Sequence, residues 1–579
     1  MDKIVRVNTK TGKVTYTKPT EDQVKWGGRH FIAKTLLNEV PPTCEPLGKH
    51  NKLILANGLF ADTNLTTTGQ LSFGGKSPLT GGAKESNVGG FAGKRLSRLG
   101  IKALILEDIP DRNTNMTRVL HVTNNKISII DTPELKGLLV DETFLALRKK
   151  FGEKTGLICI GPTGEFKMHG AGIASVDDKG MQIRYAGRGG LGAVMGSKGI
   201  KAMVIDDSDS TYTPDYYDDE LLKGTVQKIT KTLFENPKSV NRKKYGTLDI
   251  LEMANQVGLF PTRNFSSGQF EGAAAMTGPE FADMVKKRGG VGKSGTPCVP
   301  GCTIQCSNIM PDKEGKKTVA SLQYENLSLL GPNCGIGNID DIGELNHLCN
   351  QVGLDAIECG AAIGVAMDSG VADFGDAEAA KDMIRQAGQG TYLGRIIGNG
   401  AAFTGQAFGN RRIPVAKGQA MPAYDPRALK GNGVTYITSP MGADHTAGNA
   451  FETLKTNNPL GLENQVNNSR QLQIRAAILD SMGVCLFIRP AFVKFPELLT
   501  NLYKARYGWD FTFGEIKYMG ADVLEAERKF NEAAGVSEKY KRIPEFMTEE
   551  PLPPNNTVFD IPQEELERIW SVEVRTDLF

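Results

Sequence analysis

The stretch Arg184-Tyr185-Ala186-Gly187-Arg188-Gly189-Gly-Leu-Gly192-Ala-Val-Met-Gly-Ser-Lys198 contains a G-x-G-x-x-G match, Gly187 to Gly192, with Asp206 downstream. In nicotinamide-binding folds such glycines turn the chain tightly after a strand and let a pyrophosphate lie against backbone N–H groups. An acid about 20 residues on then takes the ribose hydroxyl. A nicotinamide dehydrogenase is therefore one reading, but the spacing opposes it. A crossover between parallel strands needs about a dozen residues, mostly helix. Only Ala193–Gly199 separates Gly192 from the apparent strand Ile200–Ile205. Two uses of the loop remain open. It is a Gly-rich turn between strands, or a cradle of backbone N–H groups for a phosphate or other flat anion, with Arg184 and Arg188 adding charge.

Upstream, from Met1 to about Asp207, short β-runs alternate with Gly, Pro and Asn turns. Lys52–Leu55, Ala103–Leu106, Val119–Val122, Ile127–Ile130, Leu157–Ile160 and Ala202–Ile205 are examples, and such spacing predicts a strand-rich domain. The polar run Ser208–Thr213 marks a candidate boundary. Downstream the pattern turns helical. Asp340–Val352 and Asp355–Asp368 each open on an Asp suited to cap a helix, and Arg470–Met482 and Gly520–Ala533 also read as helix. Ala423–Gly448 reads as a long irregular segment of the kind that carries function, and Pro551–Asn556 as a tail-like connector. No repeat and no low-complexity block is visible. The expected class is α+β.

With 579 residues the chain exceeds what one hydrophobic core supports. Lys plus Arg number 68 against 66 Asp plus Glu, so there is no basic excess for nucleic acid or an anionic membrane. The first residues alternate like a strand rather than forming an apolar signal core, and no run of about 18 apolar residues suggests a membrane span. A cytoplasmic location is expected. Gly is abundant at 67 residues, which suggests special turns or close backbone approach to a ligand.

The sharpest local signal is Cys298-Val-Pro-Gly-Cys302-Thr-Ile-Gln-Cys306. Three thiolates so close can converge on one metal centre, with Pro300 and Gly301 supplying the turn. A fourth ligand must come from elsewhere, and Cys485, in Asp480-Ser-Met-Gly483-Val484-Cys485, is the candidate. Three local cysteines and one distant one suit a [4Fe–4S] cluster. Structural zinc more often uses paired Cys-x₂₋₄-Cys units, and no second pair exists. Cys44, Cys159, Cys334, Cys349 and Cys359 are isolated and read as small buried hydrophobes. Nine cysteines in a chain this long form no disulfide framework and point to a reducing compartment.

Taken in order, several segments resemble the tungsten-pterin aldehyde:ferredoxin oxidoreductase family. They are Gly75-Lys-Ser-Pro-Leu-Thr-Gly81 with Asn87-Val-Gly89-Gly90; the Arg184–Lys198 stretch; the cysteine cluster; Gln323-Tyr324-Glu325; Ala423-Tyr-Asp-Pro-Arg427 running to Asp444-His445; and Asp480-x-x-Gly483-Val484-Cys485. Gly508-Trp-Asp510 and Glu550-Pro551 extend the likeness to the tail. Each motif alone is weak, whereas the ordered set is specific. The resemblance implies three parts enclosing the cofactor: a β-rich cofactor-binding domain over 1–208, a helical domain with the cysteine cluster and Glu325 over 209–414, and a C-terminal helical domain with His445 and Cys485 over 415–579. It implies tungsten, or molybdenum, held by the dithiolenes of two pyranopterins with no protein ligand, and magnesium bridging the pterin phosphates. Asn87, Gly89, Arg184, Tyr185, Ala186 and Gly187 match pterin-contacting positions, as do Asn350, Gly353, Leu354 and Asp355 in one motif and Asp480, Gly483, Val484 and Cys485 in the other. Glu325 and His445 match an acid/base pair, and Tyr324 beside them is expected to position substrate.

Three departures from the family pattern stand out. The cluster spacing is Cys-x₃-Cys-x₃-Cys where Cys-x₂-Cys-x₃-Cys is familiar, with Gly301 expected to absorb the extra residue. Asn350 stands where an Asp is usual, keeping an acceptor oxygen but losing charge. Gln70 stands where an Arg often meets the cofactor. Glu344 and His347, three apart and so on one helix face, resemble a pair that in relatives holds a metal at a dimer axis. The implied reaction is oxidation of an aldehyde to a carboxylic acid, with electrons passing through the cluster to ferredoxin or a small iron-sulfur subunit. A homodimer or hetero-oligomer is expected. Other redox chemistry on the same scaffold, such as reduction of an acyl thioester or aromatic ring, is the alternative within catalysis; a non-catalytic iron-sulfur electron-transfer subunit is the alternative outside it. The presence of both Glu325 and His445 favours aldehydes.

Overall fold

The structure is a computed structural model that describes residues 1–111, 117–536 and 542–575. Its N-terminal part is two six-stranded sheets packed face to face. The first is built from β1 (Lys3–Asn8), β2 (Val14–Thr17), β3 (Leu53–Asn57), β4 (Leu71–Lys76), β5 (Ala83–Val88) and β6 (Ile101–Glu107). The second is built from β7 (Arg118–Val122), β8 (Ile127–Asp131), β9 (Gly156–Cys159), β10 (Ile173–Val176), β11 (Ile183–Ala186) and β12 (Ile200–Ile205). Spatial order is β2-β1-β6-β3-β4-β5 in one and β8-β7-β12-β9-β10-β11 in the other. Parallel pairing occurs at β1–β6 and β7–β12, and antiparallel pairing at every other step.

The two halves are therefore an architectural duplication, down to a helix between the second and third strands (Gly28–Glu39, Val140–Phe151) and a short one before the last (Ala92–Arg98, Leu191–Ser197). The sequence shows no repeat because the duplication survives in topology and not in residue identity. Side-chain alternation explains the layering. Val5, Val7, Leu53, Leu55, Leu104 and Leu106 meet Leu120, Ile158, Ile173 and Met203 between the sheets. Ile4, Ile54, Ala56, Ala103 and Ile105 point outward, under the Gly28–Glu39 helix. The nicotinamide reading fails on this topology. β9 and β10 lie between β11 and β12, which run antiparallel to each other, so no parallel crossover exists.

The helical part divides into two cores that are not contiguous in sequence. One gathers residues from Leu248 to Leu472 together with Ile543–Ile569. The other joins Leu222–Leu233, the cysteine loop and Ile474–Ala526, and it also takes in Leu59, Phe60 and Leu65 from the β-rich part. Most expected helices form. Asp355 caps Ala356–Asp368 by accepting from Ile357 N at 3.1 Å, but the other N-cap is Asn338, not Asp340. The C-terminal pair is longer than periodicity suggests, Gln465–Met482 and Phe513–Ala533. Two expectations are corrected. Lys430–Thr438, inside the supposed irregular segment, is a helix despite two glycines, because it is buried along nearly all its length and tertiary packing overrides weak propensity. Pro551–Asn556 is a docked turn rather than a tail: Leu552 is buried and bridges Thr557, and Asn555 Nδ2 donates to Val257 O at 2.8 Å. Among the described residues no helix is long and apolar enough to cross a membrane.

The duplication positions two matching turns. The Ile339–Val352 helix ends on Gly353 at φ 86° and the Gln465–Met482 helix on Gly483 at φ 72°, both left-handed caps that favour glycine. The residue after each glycine forms a single antiparallel bridge to one half of the β-rich part, Leu354 to Ala171 and Val484 to Thr68. The loop after β9 and the loop after β3 press against these turns without room for a side chain. A Cβ on Gly161 would lie 2.2 Å from Val352 O, and one on Gly58 would lie 2.2 Å from Gly483 Cα. Gly58→Ala and Gly161→Ala should each cost about 1–3 kcal/mol through overpacking and lower the apparent Tm. Gly224→Ala, in open space within a helix, should raise it slightly.

Candidate functional site

The turn that ends at Cys485 lies against the other three cysteines. Leu59 N and Phe60 N donate to Ser481 O and Met482 O at 3.1 and 3.2 Å, and Cys485 N donates to Thr67 O at 3.2 Å. In the same loop Thr66 Oγ1 accepts from Thr303 N at 3.0 Å and donates to Gly301 O at 3.2 Å. One loop of the β-rich part thus holds both cysteine segments. Gly301 adopts φ 73° in the left-handed region that favours glycine, with nothing near its missing side chain.

The Cys302 thiol donates to Cys298 and brings that sulfur down to about 6, whereas burial pushes Cys306 up to about 11 and raises Cys485 as well. Arg184 and Arg242 are the cations that bear on this nest. Four cysteines gathered beside two guanidinium groups could hold an anionic metal centre.

Cys298 also lines a cavity of about 310 Å³ between the β-rich and helical parts. Asn87, Gly89, Arg184, Tyr185, Gly187, Asn350, Leu354 and Asp355 face it, as does Gln70. The remaining pterin-motif residues sit just behind. Ala186 pairs in β11 with Ile173, Gly353 and Gly483 form the helix caps, and Val484 is buried in its bridge. Asp480 accepts from Asn87 Nδ2 at 3.3 Å and from Arg29 Nη1 at 3.3 Å. Burial pushes its carboxyl up to about 6 against the pull of Arg29. Tyr185 donates its hydroxyl to Asn350 O.

A large polar ligand fits this cavity. Arg184 Nε is buried without a partner, and Gly89 comes so near the cysteine loop that a Cβ would lie 2.8 Å from Cys298 O. The glycines of the G-x-G-x-x-G loop have packing reasons. A Cβ on Gly189 would meet Lys84 Cγ at 2.4 Å, on Gly190 His169 O at 2.4 Å, and on Gly192 Gly172 O at 2.4 Å. Only Gly187 faces the cavity.

Gln323 and Asn326 belong both to this cavity and to a second, of about 280 Å³, lined by Tyr324, Glu325 and His445. His445 Nε2 lies 3.6 Å from Glu325 Oε1. The other carboxylate oxygen accepts from Ala423 N at 2.8 Å. Glu325 Oε1 and His445 Nδ1 have no hydrogen-bond partner. Burial raises the Glu325 pKa, and His445, Ala423 N–H and Arg188 pull against it. Tyr324 is buried, with its hydroxyl committed to Ala423 O at 2.8 Å, so it fixes the loop before His445.

Charges inconspicuous in the sequence hold that loop. Lys84 Nζ pairs with Asp444 at 2.8 Å, both buried. Arg188 reaches Asp355 at 3.2 Å, Ala443 O at 2.9 Å and Ala420 O at 2.7 Å. Against burial, Lys84 and Arg188 hold Asp444 well below the usual carboxylate range. Glu344 and His347 lie on the Ile339–Val352 helix. Glu344 joins Asp341 and Glu378 around Lys381 Nζ, at 2.6, 2.7 and 2.8 Å. His347 lies beside Asp141 and Lys317, with the Glu344 carboxylate also near enough to act on it.

A cysteine nest beside an interlayer cavity, next to a second cavity with a half-buried carboxyl–imidazole pair, is a layout suited to an oxidoreductase. The chain belongs to the aldehyde ferredoxin oxidoreductase family: residues 4–207 match its N-terminal domain and residues 224–570 its domains 2 and 3. It is 29% identical to the tungsten-containing aldehyde ferredoxin oxidoreductase of Pyrococcus furiosus and 31% identical to that of Pyrococcus abyssi, each over 95% of this chain and 92% of the relative. It is 24% identical to the WOR-like subunit of an aliphatic sulfonate oxidoreductase of Pyrococcus furiosus, over 86% of this chain and 80% of that one. The active-site complex BamBC of benzoyl-coenzyme A reductase shares the fold, with a TM-score of 0.79 at 18% identity over 98% of this chain and 93% of that one.

Cys485→Ala should lower bound iron after anaerobic purification, while Cys334→Ala, a buried cysteine outside the nest, should leave it unchanged. Unchanged iron in the first variant would place the fourth ligand elsewhere.

Proposed function

We propose that this chain is a tungsten-pterin aldehyde oxidoreductase that converts an aldehyde and water to a carboxylic acid, two electrons and two protons. The observation that carries this reading is the Glu325–His445 pair, 3.6 Å apart, in a cavity that shares Gln323 and Asn326 with the larger one. Asn87, Gly89, Arg184, Tyr185, Gly187, Asn350, Leu354 and Asp355 would hold one face of a bis-pyranopterin. The turn from Asp480 to Cys485 would back the other, and a magnesium ion would accompany the pterins in the same reading. Cys298, Cys302, Cys306 and Cys485 would hold a [4Fe–4S] cluster. When bound, these groups supply a two-electron acceptor with Lewis acidity and a one-electron exit.

The chain's own residues handle protons and position. Glu325 Oε1, free of hydrogen bonds, takes a proton from the attacking water or its adduct. Ala423 N–H keeps the carboxylate aimed by binding its other oxygen. His445 donates to the substrate oxygen as charge develops there. Tyr324, Lys84 and Arg188 keep the His445 loop rigid, so neither group reorganises during the reaction. Electrons leave singly to ferredoxin or a small iron-sulfur subunit, and the chain works as a homodimer or hetero-oligomer. Nine free cysteines suit a reducing cytoplasm.

Glu325→Gln should lower kcat by about 10²–10⁴-fold while tungsten and iron contents stay near wild type. A raised pKa keeps Glu325 protonated to higher pH. Since the base must be ionised, kcat/KM should fall as pH drops through a value above the ordinary carboxylate range. Normal turnover in the variant, measured with an aldehyde panel and a viologen acceptor, would refute the assignment.

A further inference from the structure

The cavity that carries Glu325 and His445 is also lined by Arg242, Arg475 and Arg489. Guanidinium groups this enclosed are ordinarily fully paired. Here they are not. Arg475 Nη2 lies 2.6 Å from Glu452 Oε2, and Arg489 turns to the other oxygen of the same carboxylate. Arg242 pairs with Asp249 at 3.0 Å and lies over the Phe487 ring, 4.4 Å from its centroid. Three cations therefore share two carboxylates, and Arg489 Nε is buried with no hydrogen-bond partner. The acid/base pair does not use this charge, because the arginine that bears on Glu325 is Arg188. Leu472, Leu486 and Phe487 supply apolar wall in the same cavity.

We propose that Arg475 and Arg489, with Arg242 adding field, bind an anionic group on the substrate. The chain then selects an aldehyde whose carbon chain carries a carboxylate, phosphate or sulfonate over the neutral aldehyde of the same length. This rests on the aldehyde-oxidising reading above. The physical basis is differential pairing. An anion completes the buried guanidinium fork with charge-assisted hydrogen bonds, whereas a neutral chain leaves that donor dry and unpaired. No covalent step is involved; the arginines orient the substrate and set specificity.

The test compares holoenzyme kcat/KM within matched pairs: succinic semialdehyde with butanal, glyceraldehyde 3-phosphate with glyceraldehyde, and sulfoacetaldehyde with acetaldehyde. The anionic member of at least one pair should be favoured by about 10²-fold or more, and which pair shows it identifies the anion. Its KM should rise with ionic strength while that of the neutral partner does not. Arg489→Gln should lower kcat/KM far more for the anionic member than for the neutral one, mainly through KM, and Arg489→Lys should restore part of the preference. Equal rates within every pair, or equal losses for both members in the Gln variant, would overturn the proposal. Calorimetric binding of succinate against butanoate to the wild type and the Gln variant separates the two readings. Arg489-dependent succinate binding without oxidation of any aldehyde would uphold the anion site and defeat the aldehyde reading, and equal binding of the two acids would overturn the anion site.

Discussion

The contact between the loop after β3 and the turn after the Gln465–Met482 helix is the constraint on which the rest of the molecule depends. Two backbone donors, Leu59 N and Phe60 N, meet the last carbonyls of that helix, and Cys485 N meets Thr67 O. Helix C-terminal carbonyls need such partners wherever water is excluded. The contact is tight because Gly58 and Gly483 lack side chains. Thr66 in the same loop grips the cysteine loop. A few backbone hydrogen bonds thus set the separation between Cys485 and the other three cysteines, and tie the nest to the rim of the larger cavity.

Charge does the complementary work. Lys84–Asp444, Arg188–Asp355 and Arg29–Glu527 are buried pairs that join segments far apart in sequence. Buried pairs of this kind add little net stability, and breaking one leaves a costly unpaired charge. Their effect is positional: the His445 loop, the Asp355 helix cap and the Asp480 turn are each held in one arrangement. Among the buried polar atoms without a partner, Glu325 Oε1, His445 Nδ1, Arg184 Nε and Arg489 Nε lie on residues that line the two cavities, and others lie elsewhere in the molecule.

Alternation in Val5–Val7 and Leu53–Leu55, turn residues between runs, and the Asp355 cap made the β-rich part and several helices legible from the chain alone. The cysteine spacing and the short Ala193–Gly199 link were equally readable, since they depend on local geometry. The Lys430–Thr438 helix was not, because its glycines oppose helix locally and only burial on all sides stabilises it. The duplication was hidden for a related reason: a β-sandwich half tolerates any apolar residue of suitable size at an inward position, so topology persists while identity drifts. Arg475 and Arg489 gave no signal, because a charge on a helix reads as solvated until tertiary structure encloses it.

By itself, the sequence determined the local elements, the nearby cysteines and, through the ordered motifs, the family. Tertiary structure alone decided that Cys485 lies near the other cysteines of the nest, that Glu325 faces His445 across 120 positions of chain, that Glu344 pairs with Lys381, and that three arginines line one cavity. The reason is physical. Spacing along a chain governs turns and periodic faces within a few residues, whereas long-range juxtaposition follows from how whole layers bury their apolar faces, which no single segment encodes.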